Sequence, residues 1–146
     1  LTILDVVSWC TWVGVAPGGY HDGLIYASEA GDGSISIVPL KRLWAYGNYT
    51  RYIRPGFVRV EASGAKGLDP VAFKGERDGK QQLVIALINE DYRPQTVKLA
   101  GDFSAYTTMQ VHETSANRDL ARTYSGAVKD EVTLPMQSVI TIVMSE

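Results

Sequence analysis

The sequence predicts a mainly β protein, in which an antiparallel β-sandwich follows a single strand–loop–helix unit. Eight of the 14 aromatic residues, including all three tryptophans, lie before residue 54. Arg54-Pro55-Gly56 then supplies a strong turn signal, because proline and glycine end a helix. After this point the apolar residues recur with a period of two, which is typical of β-strands. The chain therefore divides into two halves of different character.

The composition is that of one globular domain. The 146 residues, of which 45% are apolar and 21% charged, fall within the size of a single domain (roughly 100–200 residues). Lys and Arg number 14 against 16 Asp and Glu, so the chain lacks the basic balance that nucleic-acid binding requires. No apolar run approaches the ~18–20 residues that span a bilayer. The single cysteine, Cys10, excludes an internal disulfide.

The first half is predicted to contain a strand, a loop and a helix. Val6–Val13 is rich in β-branched and aromatic residues and predicts a buried strand. A loop through Pro17-Gly18-Gly19 leads to a short strand at Leu24–Tyr26. Apolar residues with three/four spacing predict a helix over Pro39–Ile53, because proline is tolerated in the first helical turn. This order is the repeating unit of an α/β barrel or of a doubly wound sheet.

The second half is predicted to form seven or eight short strands in an antiparallel sandwich. Asp78-Gly79 is the best hairpin turn signal in the chain. Leu83–Ile88 is apolar without alternation, which favours a central strand covered on both faces. The predicted strands are Phe57–Ala62, Val71–Phe73, Gln82–Ile88, Val97–Leu99, Ala105–Val111, Val132–Leu134 and Ser138–Met144.

The residues by themselves offer few candidates for chemistry. His21 and His112 are too far apart in sequence to suggest a metal-ligand motif, and no metal site or cofactor is predicted. The acidic residues fall mostly in turns, where solvation explains them. Cys10 lies inside the first predicted strand and is expected to be a buried apolar residue. Asn48-Tyr49-Thr50 matches a glycosylation sequon, but its position inside the predicted helix indicates a chance match.

Trp9 and Trp12 are the remaining candidates. An indole at the C-terminal end of a strand can pack against the apolar face of a sugar ring and leave the hydroxyl groups free. The two side chains point to opposite faces of an alternating strand, so only one of them can face a cleft. Burial in the core is the alternative for either residue.

Several runs resemble glycoside hydrolase family 30, in its endo-β-1,6-galactanase-like and glucosylceramidase-like branches. Ser8-Trp9-Cys10-Thr11-Trp12 and Tyr20-His21-Asp22-Gly23-Leu24-Ile25-Tyr26 resemble the last barrel strand and the loop after it. The run KRLWAYGNYTRYIRPG at 41–56 is similar to the final helix and its exit. Leu134–Val139 and Thr114-Ser115 resemble parts of the side β-domain. The loop and helix are most similar to the galactanases, with β-1,6-glucanases and xylanases as close competitors.

The resemblance implies a retaining hydrolase with a TIM (β/α)8 barrel and an attached β-sandwich. Residues 1–55 would be the last strand, loop and helix of the barrel, and residues 56–146 the side domain. The two catalytic glutamates of the family lie on earlier barrel strands, which would precede Leu1. Since the chain starts on an apolar run without an initiator Met, we expect Leu1 to be a domain boundary or a processed terminus. The chain alone would then contain no catalytic residue and would be inactive.

The resemblance also implies the substrate-binding residues. Trp12 matches the active-site tryptophan on the eighth strand, with Trp9 as a core residue, and Tyr20, His21 and Asp22 lie in a loop that borders the site. The expected partners are a β-linked polysaccharide or oligosaccharide and the rest of the barrel, in a secreted protein. Cys10 and Thr11 depart from the galactanase pattern, so the exact glycan stays open. The alternative is a non-catalytic carbohydrate-binding or structural β-sandwich module.

Overall fold

The computed structural model describes residues 8, 10–64 and 66–146. Within this part the chain forms eleven strands and one helix, and the predicted mainly β, antiparallel architecture is confirmed. The elements in chain order are β1 Val15–Pro17, β2 Ile25–Glu29, β3 Ile35–Pro39, α1 Lys41–Thr50, β4 Val58–Val60, β5 Val71–Arg77, β6 Lys80–Asn89, β7 Gln95–Lys98, β8 Thr108–Ser115, β9 Arg118–Ala127, β10 Glu131–Leu134 and β11 Ser138–Ser145.

The principal sheet has six strands in the order β4-β5-β6-β11-β8-β9, and every neighbouring pair is antiparallel. β7 and β10 form a second, two-stranded antiparallel sheet. Val97, Val132 and Leu134 of this small sheet pack into the same apolar cluster as Ile142 and Met144 of β11. The two sheets therefore enclose the core between them, as in a β-sandwich.

β6 lies inside the principal sheet and is buried on both faces, as its unbroken apolar run predicts. Leu83 and Leu87 point into the sandwich core. Val84, on the opposite face, is fully buried against Tyr52 and Val143. β5 and β6 are joined at Asp78-Gly79, where both residues have positive φ (55° and 74°). This is the backbone conformation that a tight two-residue hairpin requires, so the predicted turn is present.

The helix α1 packs on the face of the principal sheet opposite the small sheet. Its anchor is Asn48, whose side chain is completely buried. The Asn48 Nδ2 donates to Thr114 Oγ1 of β8 at 2.6 Å and to the Trp44 carbonyl at 3.1 Å. Thr141 Oγ1 of β11 donates to Asn48 Oδ1 at 2.9 Å and to its carbonyl oxygen at 2.7 Å. A glycan cannot be attached to this amide in the folded chain, as the sequon's helical position indicated.

Beside this anchor, α1 approaches the sheet closely at Gly47. A Cβ at this position would lie 2.8 Å from Leu120 Cδ2 of β9, which is too close for a real contact. The absence of a side chain thus allows the helix to lie against β9. The helix itself spans Lys41–Thr50, shorter than the predicted Pro39–Ile53, because Pro39 ends β3 and Leu40 is the N-cap.

The predicted strand over Val6–Val13 is not found in its described part. Val6, Val7 and Trp9 lie outside the described residues. Residues 10–13 form no strand pairing with the described chain, and the first strand is β1. Because a strand exists only through its hydrogen-bonded neighbours, the β-branched composition alone does not produce one here. Cys10 is consequently exposed and not buried as expected.

Three strands of the structure were not predicted. β1 has only three residues and lies where a loop was expected. β9 is a polar edge strand whose side chains are mostly exposed, and β3 is exposed along its whole length. Neither has the buried apolar face that reveals a strand in sequence, so both depend on pairing with a neighbour. β3 pairs antiparallel with β2, which itself pairs parallel with β1. The helix α1 is too short to cross a membrane, and the described residues contain no longer apolar helix.

We expect the substitution Asn48→Ala to lower the free energy of unfolding by about 1–3 kcal/mol. It would remove the hydrogen bonds of the Asn48 amide to Thr114 and Thr141, and bonds of this kind contribute about 0.5–1.5 kcal/mol each. Thr141 keeps its bond to the backbone carbonyl of residue 48, and Thr114 keeps the Leu120 N–H. Urea unfolding measures the change. Asn117→Ala, in the exposed β8–β9 turn, is the matched control and should leave stability nearly unchanged. Equal losses in the two variants would show that the Asn48 contacts do not stabilise the fold.

Candidate functional site

Trp12 is a large, exposed aromatic side chain next to a closed loop. Its side chain is 77% exposed, and the peptide bond between Trp12 and Val13 is cis. The Leu24 N–H donates to the carbonyl oxygens of Val13 (3.1 Å) and Gly14 (3.2 Å). These bonds bring the two ends of the segment 13–24 together. The indole is therefore held at the base of this loop with its faces open to solvent.

The segment Gly18–Gly23, called the rim loop here, carries the other three predicted residues. Tyr20 is 45% exposed, and its N–H closes a turn on the Pro17 carbonyl at 3.2 Å. His21 and Asp22 are exposed. Arg42 of α1 contacts both of them, since its Nη2 donates to the His21 carbonyl oxygen at 2.7 Å and its Nη1 lies 3.8 Å from Asp22 Oδ1.

The structure thus joins His21 and Asp22 through Arg42, a residue that the sequence reasoning did not single out. The rim loop offers a carboxylate, an imidazole and a phenol that can accept or donate hydrogen bonds. The indole of Trp12 offers a flat apolar surface. Such a combination suits a ligand with hydroxyl groups and an apolar ring face. Trp9, predicted to be a core residue, lies outside the described residues.

An apolar groove of about 480 Å³ runs beside α1. Thr11, the residue before Trp12, lines it together with Leu43, Trp44 and Leu120. Trp44 is half-buried within the described residues, so part of its side chain remains uncovered. Ile35 and Ile37 of the neighbouring β3 are 71% and 67% exposed. The groove beside α1 and the strand β3 therefore each present apolar surface that the described residues do not cover.

A second concavity, which the sequence reasoning missed, lies on the α1 face of the principal sheet. It contains His112 of β8, whose ring is nearly buried and lies 4.5 Å from the Tyr52 ring, centroid to centroid. Burial lowers the His112 pKa to about 4, and the charges of Arg51 and Arg122 add to this. The sequence signal for this concavity is the polar residue at every second position of β8. Such a pattern indicates a strand face that does not belong to the apolar core.

Several solved structures of glycoside hydrolases match most of the chain. A GH30 endoxylanase from Clostridium papyrosolvens C71 matches at 25% identity and a TM-score of 0.62, covering 74% of this chain and 28% of its own. A family 30 subfamily 8 xylanase from Clostridium acetobutylicum matches at 21% identity and a TM-score of 0.68, covering 86% and 31%. No family model matches the sequence.

The chain has a GH30-like fold. A conserved exported protein from Bacteroides fragilis shares this fold, with 24% identity, a TM-score of 0.70 and coverage of 89% of this chain and 28% of its own. The GH30-like chain thus spans less than a third of the length of these three structures. Its antiparallel sheets correspond to the C-terminal β-domain of the family 30 enzymes, which makes it a glycoside hydrolase-related domain.

In residues 8, 10–64 and 66–146, no three His, Cys, Asp or Glu side chains lie close enough together to hold an ion. Glu113, the one carboxylate of β8, is buried, accepts a hydrogen bond from Ser115 Oγ at 2.7 Å and pairs with Arg118 Nε at 3.4 Å. Its contacts are therefore those of a structural ion pair.

We expect His112 to make the GH30-like domain less stable in acid. The folded-state pKa is about 4, whereas that of an unfolded histidine is about 6.5. Between these values the unfolded chain binds a proton that the folded chain does not, so the free energy of unfolding falls as the pH decreases. The contribution of His112 to the free energy of unfolding is complete above pH 6.5, and about 2 kcal/mol of it should be lost by pH 4.5.

Urea unfolding at pH 7.5 and pH 4.5 tests this expectation. The His112→Gln variant should lose about 2 kcal/mol less than the unaltered protein between the two pH values. His21→Gln, in the exposed rim loop, is the control and should behave like the unaltered protein. If His112→Gln and the unaltered protein lose equal stability, the ring does not titrate as described.

Proposed function

We propose that this chain is the C-terminal part of a retaining glycoside hydrolase that cleaves a β-linked polysaccharide, with β-1,6-galactan as the substrate. Residues 1–55 supply the last strand, loop and helix of a (β/α)8 barrel, and residues 56–146 supply the side β-sandwich. The two catalytic glutamates belong to earlier barrel strands, so the 146 residues alone do not hydrolyse the glycan. The enzyme is secreted, because its polymeric substrate lies outside the cell.

The apolar groove beside α1 supports the assignment of this helix to a barrel. Trp44 in this groove is half-buried, and Ile35 and Ile37 of β3 are exposed apolar side chains in the described chain. Exposed apolar side chains of this size are typical of an interface. The side of α1 that carries Asn48 is already committed to the sandwich. A helix with one side on the sandwich and another facing an uncovered groove suits the last helix of a barrel.

Trp12 is the residue that carries the proposal. In the active sites of (β/α)8 enzymes, the functional side chains lie at the C-terminal ends of the strands, in the loops that follow them. Trp12 precedes such a loop and is 77% exposed, so its indole is free to contact a sugar. The apolar C–H face of a galactose or glucose ring packs on an indole, while its hydroxyl groups remain available to polar groups around it.

The rim loop supplies those polar groups. Tyr20, His21 and Asp22 hydrogen-bond to sugar hydroxyls in the proposed complex. Arg42 acts as a positioning residue, because it contacts both His21 and Asp22 from the helix. The loop is in this way held to α1, which is itself fixed to the sheet by Asn48. Ordering the loop before binding lowers the entropic cost of capturing the sugar.

A carbohydrate-binding module without catalysis is the alternative, and the sandwich gives it little support. A binding sheet needs several exposed aromatic side chains that form one platform. Of the six aromatic residues in 56–146, only Tyr92 is classed as exposed, at 76%. The other five are half-buried: Phe57, Phe73, Phe103, Tyr106 and Tyr124. The aromatic surface best placed for a sugar is therefore Trp12, in the part assigned to the barrel.

The choice of glycan rests on the resemblance of the rim loop and helix to galactanases. Two of the matching structures are xylanases by description, and Cys10 and Thr11 depart from the galactanase pattern. Cys10 and Thr11 are both exposed beside Trp12. A small hydroxyl-bearing side chain at Thr11 leaves space next to the indole. Activity assays on β-1,6-galactan, β-1,6-glucan and β-1,4-xylan distinguish the three possibilities.

In the full-length protein we expect Trp12→Ala to reduce kcat/KM on β-1,6-galactan by about tenfold to a hundredfold. The loss corresponds to the stacking surface that the indole gives to the sugar, about 1.4–2.7 kcal/mol. The melting temperature should change little, because the side chain is exposed in the described chain. Initial rates on the three polysaccharides and thermal unfolding provide the two measurements.

Tyr92→Ala is the matched control, since Tyr92 is an equally exposed aromatic residue in the turn after β6. It should alter neither quantity. A Trp12→Ala protein that keeps full activity per folded molecule would refute the role of Trp12. A full-length protein that binds these glycans without cleaving any of them would instead favour the binding module.

A further inference from the structure

The first turn of α1 carries two adjacent cations, Lys41 and Arg42, at the end of the helix where positive charge is unfavourable. The helix macrodipole places partial positive charge at its N-terminus, so a lysine or arginine there destabilises the helix. Within the described helix, the first turn contains no acidic residue, and Leu40 provides no side-chain cap. Natural proteins break local rules of this kind mainly where a residue has a role outside its own element. The contacts that the two cations make beyond α1 therefore explain their position.

Lys41 joins the start of the helix to the edge of the sandwich. Its Nζ donates to the carbonyl oxygens of Ala116 at 3.4 Å and Arg118 at 3.2 Å and pairs with the Asp119 carboxylate. Ala116 lies in the β8–β9 turn, and the other two residues begin β9. An ammonium group has three donor hydrogens, and three acceptors surround this one. The first turn of α1 is thereby connected to the β8–β9 turn by a small network and not by a single ion pair.

Arg42 leaves the helix in a different direction, because successive helical residues are rotated by about 100° about the axis. Its Nη2 donates to the His21 carbonyl oxygen at 2.7 Å, and its Nη1 lies 3.8 Å from Asp22 Oδ1. Both partners belong to the rim loop. One turn of helix thus contacts the edge of the sandwich through one residue and the rim loop through the next.

The two ends of the rim loop are fixed by other contacts. At its start, the Gly18 N–H donates to Ser28 Oγ of β2 at 3.1 Å, and a side chain at Gly18 would collide with that oxygen. Just after its end, the Leu40 N–H donates to the Leu24 carbonyl oxygen at 2.9 Å. Because the ends are held in this way, Arg42 acts on the middle of the loop.

We propose that Lys41 and Arg42 form a clamp through which the β8–β9 turn of the sandwich sets the position of His21 and Asp22. Lys41 and Asp119 are then positioning residues, since neither belongs to the proposed sugar site and both act through Arg42. The side β-domain in this way orders part of the site before a ligand binds, which lowers the entropic cost of binding. The placement of the loop depends on this chain's own contacts, whereas its consequence for sugar binding rests on the proposed function.

Hydrogen–deuterium exchange in the full-length protein tests the Lys41–Arg42 clamp without any substrate. Lys41→Met removes the ammonium group and keeps the apolar stem. At low ionic strength, the Tyr20 amide, which donates to the Pro17 carbonyl oxygen, should exchange about threefold to fivefold faster, because the loop opens more often. Asp130→Asn removes the exposed ion pair with Lys98 and is the matched control, which should leave this rate unchanged. Equal Tyr20 rates in Lys41→Met and the unaltered protein would overturn the proposal.

A double-mutant cycle shows whether Lys41 acts through Arg42. Arg42→Gln alone should also speed the exchange of the Tyr20 amide, because it removes the contact with the loop. Adding Lys41→Met to Arg42→Gln should then leave the rate nearly as it is in Arg42→Gln, since the connection is already broken. Effects that multiply would show that Lys41 acts on the loop by another route, and they would overturn the proposal.

Steady-state kinetics measure the consequence for the sugar site. On a glycan that the full-length enzyme cleaves, Lys41→Met should raise KM by about threefold to fivefold and change kcat by less than about twofold, because the loop contributes binding and not chemistry. Faster Tyr20 exchange with an unchanged KM would confirm the clamp and refute the sugar-binding role of the rim loop. If the full-length protein cleaves no glycan, the proposed hydrolase fails, and Tyr20 exchange still decides the clamp.

Discussion

The side-chain amide of Asn48 is the contact on which the position of the helix depends. It is completely buried and joins α1 to β8 through Thr114 and to β11 through Thr141. Burying an amide is costly unless its hydrogen bonds are made. These contacts therefore favour one position of the helix on the sheet over the others. The close approach of Gly47 to Leu120 follows from the same placement. Fixing α1 also fixes Arg42, through which the rim loop is held.

The principal sheet separates two different environments. Its inner face, with Ile140, Ile142 and Met144 of β11, is closed by the small sheet and is mainly apolar. Its other face carries Thr141, a buried polar residue, and continues beyond α1 into the concavity around His112. Alternation of side chains along each strand produces this division, since neighbouring residues point to opposite faces. Stability is therefore concentrated on one face, and the groups that can contact other molecules are on the other.

The groove and the concavity around His112 meet along the helix. Arg51 and Leu120 line both, and Thr11, next to Trp12, lines the groove. The two concavities differ in chemistry, because the groove is mostly apolar, whereas Arg51, Arg77 and Arg122 line the other. The end of α1 is therefore bordered by an apolar surface and by a basic one.

Local sequence patterns were sufficient where the signal is short-range. The positive-φ turn at Asp78-Gly79, the central strand at Leu83–Ile88 and the existence of α1 follow from turn chemistry and apolar periodicity, and the structure contains all three. The exposed strands β3 and β9 could not be predicted in this way, because their side chains are not sorted into a buried and an exposed face. Their pairing partners are supplied by the sheet.

The candidate sites also differ in whether a local sequence pattern or the tertiary structure defines them. The sequence by itself determined that Trp12 and the rim loop belong to one short segment with the residue types that sugars require. Only the tertiary structure decided that Arg51, Arg77 and Arg122 line a single concavity together with His112. These residues come from the end of a helix and from separate strands. Cross-strand register brings them together, and no local pattern in the sequence records that register.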